Sequence, residues 1–136
     1  MATNLTDLTV SGAISGSTLS VTSATITGSV ATGQTVLPTA TAYATNGAIA
    51  PSDIWASLTK GSAGAYTLAA PGASNVGKII TITAGSAYAH VVTVTGLVGG
   101  NTLTFTNAVG HSVQLLAVSA TVWALLATAG AAQSNV

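Results

Sequence analysis

Cysteine is absent from this chain of 136 residues, and charge is nearly so. Without cysteine there is no disulfide, no thiolate metal site and no thiol nucleophile. A chain of this size must then be held by its core or by association with other chains. The charged residues are Asp7, Asp53, Lys60 and Lys78, 3% of the sequence with a net charge of zero. Soluble proteins average about 25%. No run of like charges exists, so nothing builds the basic field that nucleic acid requires. A small monomer with so few charges lacks the usual protection against association. The composition therefore implies that much of the surface is covered by partners. The 23 threonines and 14 serines must solvate the remainder.

Targeting signals are missing too. Met1 to Val10 has neither a positive segment nor an apolar one, so no leader is expected. The uncharged stretch from Val113 to Ala132 is long enough to span a bilayer. It is interrupted by Gln114, Ser119, Thr121, Thr128 and Gly130, and no lysine or arginine flanks it. It divides into Val113–Val118 and Val122–Leu126 around Ser119-Ala120-Thr121, which predicts two core strands joined by a turn rather than a membrane helix.

What is present is β signal along nearly the whole chain. Apolar and hydroxylated residues alternate through Leu8–Val10, Leu19–Val21, Thr25–Thr27, Ile79–Thr83, His90–Thr95 and Thr102–Thr106. Period two puts the apolar members on one face, and β-branched residues suit a pleated, half-buried surface. Ser11-Gly12, Ser15-Gly16, Gly85-Ser86 and Gly99-Gly100-Asn101 punctuate the runs as turns. Helix signal is thin. Ser52-Asp53 would cap a short turn through Ile54–Leu58, but the same residues also read as a strand to Thr59. The Ala-rich stretch from Ala124 to Ala132 is ambiguous.

Two regions separate. Residues 1–35 are a low-complexity β arm in which Leu8-Thr9-Val10-Ser11 returns as Leu19-Ser20-Val21-Thr22, with a degenerate third copy at Ala24–Thr27. Strands this short bury little alone. Leu8, Val10, Leu19, Val21 and Ile26 are the residues expected to dock on neighbouring chains. Residues 36–53 read as a connection with one extended segment. Residues 54–136 carry longer strands and the aromatics Trp55, Tyr66, Tyr88, Phe105 and Trp123. They are expected to form a small antiparallel β-sandwich or barrel, with Phe105, Leu115 and Trp123 in its core or at a subunit interface.

The order of segments in this second region resembles a β module of bacteriophage virion proteins. The segments are Tyr66–Pro71, Gly77–Thr83, Ala89–Val94, Gly99-Gly100, Thr104-Phe105, Gly110–Leu115 and Trp123. The proteins in question are head decoration proteins, head fibres and tail fibres. The arm is similar to the Leu-Thr-Val-Ser-Gly repeats of phage fibre shafts. The resemblance implies a homotrimer on the outer surface of the virion, with the major capsid protein as partner and no cofactor. His111 stands where the module often has Asp or Ala, which puts any polar contact there in doubt.

The residues give little support to catalysis. Serine, histidine and aspartate all occur, but Gly-x-Ser-x-Gly does not, and only Asp7 and Asp53 offer a carboxylate. His90 and His111 together, or with symmetry copies, have metal-binding chemistry. Their positions, at the start of a strand and in a Gly-His-Ser turn, favour structural roles. Gly96–Gly100 lacks the Lys-Ser/Thr ending of a phosphate loop. Asn4-Leu5-Thr6 is a sequon without secretory context. Trp123, among Val118, Val122, Leu125 and Leu126, reads as core or interface; Trp55 reads equally as core or as a partner anchor.

Competing functions come from other classes. Thr-x-Thr recurs at Thr81/Thr83, Thr93/Thr95 and Thr104/Thr106, a spacing close to that of an ice-binding solenoid, although alternation alone generates the pattern. A cell-surface adhesin is another. Length favours capsid decoration (cement) over a fibre: an arm of 35 residues reaches at most roughly 120 Å when fully extended, short for a shaft that must also carry a tip.

Overall fold

The computed structural model describes residues 38–135. The proposed arm residues Leu8, Val10, Leu19, Val21 and Ile26 lie outside the described residues, as does Asp7. The alternating runs form strands: β1 (Thr41–Tyr43), β2 (Gly47–Ile49), β3 (Trp55–Leu58), β4 (Gly64–Leu68), β5 (Ile79–Ala84), β6 (His90–Val94), β7 (Thr102–Phe105), β8 (Ser112–Ser119), β9 (Val122–Ala129) and β10 (Ala131–Ser134). Among the described residues a single 3-10 turn covers Ala73–Asn75. The possible cap at Ser52-Asp53 leads into strand, and the ambiguous alanine-rich stretch is strand on both sides of Gly130.

These strands form two five-stranded sheets. Sheet 1 has the order β1-β3-β5-β8-β9, and sheet 2 the order β10-β7-β6-β4-β2. From β1 to β6 the chain alternates between the sheets, so β1, β3 and β5 pair in parallel on one side and β2, β4 and β6 on the other. This half is a short flattened coil. From β7 onward the pairing is antiparallel: β6 with β7, β7 with β10, β5 with β8, and β8 with β9. The all-β class is correct, but the antiparallel expectation holds only for this second half. Neither sheet closes into a barrel.

Alternation identifies a strand and its buried face; it does not identify the partner. Gly85-Ser86 signals a turn, and a turn occurs there, yet it carries the chain from β5 in one sheet to β6 in the other instead of closing a hairpin. Residues 36–53, expected as a connection, contain β1 and β2. These form the first coil and supply one edge of each sheet.

One core lies between the sheets. Leu58, Ile80, Ile82, Val113, Leu115 and Trp123 enter it from sheet 1, and Ile49, Tyr66, Leu68, Val92, Leu103 and Phe105 from sheet 2. Full burial of one such side chain contributes about 1.5–3 kcal/mol. Trp123 also links the halves of the chain. Its indole N–H donates to the Ala69 carbonyl at 2.9 Å, and its backbone exchanges bonds with Gly96 and Val98. The stretch from Val113 to Ala132 is thus a strand pair plus the start of β10. Among the described residues, no helix is long and apolar enough to cross a membrane.

Candidate functional site

Only one pair of side chains in the described region has the outline of reactive chemistry. His90 opens β6 on its inward face and is fully buried, because alternation there places His90, Val92 and Val94 together in the core. Its Nε2 lies 2.9 Å from the hydroxyl of Ser86, in the loop before β6. Ser86 donates its proton to the Lys60 carbonyl at 2.7 Å. The hydroxyl therefore accepts from His90, which fixes the Nε2–H tautomer. Nδ1 is left as a lone pair with no partner, buried beside Gly64. Burial, and then the positive charge of Lys60, hold the His90 pKa below the usual histidine value. The ring packs edge-on against Tyr66, with centroids 5.7 Å apart. A serine nucleophile needs its proton directed at the imidazole and an acid behind the ring. Here the proton points to a carbonyl, and no carboxylate reaches Nδ1.

His111 is held differently. Its Nδ1 lies 2.7 Å from the Thr106 hydroxyl, which is 3.1 Å from the Gly130 carbonyl. The ring covers Gly130, whose φ of +69° turns the chain from β9 into β10. His111 thus braces the crossing between the sheets. Among the described residues, no three potential ligands group around a metal position, and no pocket is present.

The structure separates the aromatic residues. Phe105, Leu115 and Trp123 are buried in the core of a single chain. Trp55 faces outward from sheet 1, half-buried, and its indole N–H donates to Thr83 Oγ1 at 3.0 Å. Tyr43 donates its hydroxyl to the Asp53 carboxylate at 2.7 Å and accepts from the Ala50 amide, pinning the first coil. The Thr-x-Thr pairs do not share one array. Thr81 and Thr83 lie on sheet 1, whereas Thr93 and Thr104 lie on sheet 2, where Thr104 stands opposite Val91 rather than Thr93.

The feature that sequence reasoning missed is the outer face of sheet 1 near the β8–β9 turn. Ile79, Leu116 and Ala124 stand side by side across β5, β8 and β9. By alternation they point away from the buried Ile80, Leu115 and Trp123. Val118 and Leu126 are about half exposed on the same two long strands, and Val76 is equally exposed just before β5. All of these residues except Val76 were visible as parts of apolar runs. The runs could not show which members would face outward, because the bulges at Gln114/Leu115 and Ala117/Ser119 shift the register.

The chain matches no family model, no curated protein and no solved structure.

Proposed function

We propose that the protein is a non-catalytic structural subunit of a bacteriophage virion. It acts as a homotrimeric capsid decoration (cement) protein on the outer surface of the head. The observation that carries this reading is the described surface itself. It bears only Asp53, Lys60 and Lys78 as charged residues while exposing eight large apolar side chains. Such a surface suits a protein that spends its working life against other protein. The segment resemblance supplies the kind of partner, the major capsid protein. A cement protein that binds only the assembled shell stabilises it by mass action. The uncharged, Thr/Val-rich arm has the chemistry to add strands to sheet edges on the capsid.

A fibre component is the second reading, favoured by the parallel coil of β1–β6. Successive coils stack along an axis, and a shaft grows in the same manner. The antiparallel β7–β10 segment terminates that stacking after three coils, which returns the preference to a compact decoration.

The test is to mix the purified chain with undecorated heads and image them by electron microscopy. Regular added density and a rise in the disruption temperature of the shell are expected. Binding to tails alone would transfer the protein to the fibre reading, and binding to neither would overturn both.

A further inference from the structure

Sheet 1 ends in β9, and β9 is an unusual edge. It runs for eight residues from Val122 to Ala129; Gly96 and Val98 bond to Trp123 near its start, and among the described residues the stretch from Ala124 to Ala129 pairs on one side only, with β8. Proteins normally protect such an edge with a charge, a proline or brevity. The other three edges follow that practice: β1 and β2 have three residues each, and β10 has four. β9 has no charge and no proline. Apart from a bulge at Leu126, nothing interrupts the stretch from Ala124 to Ala129, and it is continuous with the apolar patch of Ile79, Leu116, Val118 and Leu126 on the outer face of the sheet. Unpaired backbone groups and exposed apolar side chains therefore occur together, where one partner would satisfy both.

We infer that this end of sheet 1, the β9 edge with Ile79, Leu116, Val118 and Leu126, is the contact between copies of the chain. The inference rests on the proposal that the chain self-assembles, and it names the surface responsible. Charge complementarity selects the occupant. A partner of ordinary composition carries charge on about a quarter of its residues, and those groups would lose hydration here without finding a counterpart. A second copy brings an equally uncharged edge and face. The nearest cation, on Lys78, is already directed at Asn75 Oδ1 at 3.1 Å.

The experiment compares sedimentation equilibrium of the full chain with that of Val118→Lys and Leu126→Lys, and of the loop controls Tyr88→Lys and Val109→Lys, which are also exposed large apolar residues. The face variants should weaken association at least tenfold and sediment as folded monomers, with the β-type circular dichroism of the parent. The loop variants should assemble like the parent. Should a lysine variant fail to fold, Val118→Thr with Leu126→Thr puts β-branched side chains suited to a strand at both positions and should still weaken association. Folded face variants that assemble normally would overturn the assignment while leaving self-assembly intact. A parent chain that is monomeric at micromolar concentration would overturn both. A monomer that loses shell binding through these substitutions would assign the face to the capsid protein instead.

Discussion

His90 has its acceptor nitrogen sealed in the core with nothing to accept from. Protonation there would bury a charge and add a donor without an acceptor. Unfolded histidine titrates near 6.5, and the buried ring titrates lower. Between the two values only the unfolded chain takes up the proton. Stability is therefore full above about pH 6.5 and falls as the pH drops through that value, levelling off below the folded pKa. Thermal melts from pH 8 to 5 should show a falling midpoint, with a flatter profile in His90→Gln; equal slopes would remove the ring as the cause. Gly130 poses a steric problem. Its positive φ and the His111 ring over its α-carbon leave no room for a methyl group. Gly130→Ala should cost roughly 1–3 kcal/mol, read from urea midpoints, and Gly61→Ala, in open space, should cost much less. Phe105→Ala, at a fully buried site, should cost about 3–5 kcal/mol.

At the level of elements, the β8–β9 hairpin shows how far sequence reasoning reaches. Val113–Val118 and Val122–Leu126 fall within its strands, and Ala120-Thr121 makes the turn. Here turn and partner are neighbours in sequence, so local pattern suffices. The parallel pairs of the coil were not legible. Their partners sit a full coil away, and nothing in Ala65-Tyr66-Thr67 announces Val91-Val92-Thr93 across from it. The Ser86–His90 contact was hidden for a related reason. It depends on which way a loop folds over a strand end, and the Lys60 carbonyl that orients Ser86 is supplied by a different coil. Trp123 ties the hairpin to the loop after β4 through Ala69. Trp123→Phe keeps an aromatic side chain but, lacking the indole N–H, leaves that carbonyl unsatisfied. A loss of about 1–3 kcal/mol is expected, measurable by denaturant unfolding.

For the whole molecule, the division between arm and module predicts the effect of truncation. Residues 38–135 enclose their own core. Deleting residues 1–35 should leave a folded β module that binds undecorated shells weakly or not at all. Equal binding by the truncated and full chains in a cosedimentation assay would move the shell contact onto the module. The two halves of the module also differ in how soon they can form. Hairpins such as β8–β9 close a short loop and need microseconds. Pairing β4 with β6 requires the intervening β5 to be placed in the opposite sheet first, and such distant contacts are slow to assemble. The rate-limiting nucleus should therefore lie in the antiparallel half, which a ribosome makes after the coil. The coil would leave the exit tunnel before the surface that supports it exists, so the nascent coil would remain open until β7–β10 have emerged. Under the proposed contact between copies, that delay would coincide with the emergence of neighbouring chains on the same message.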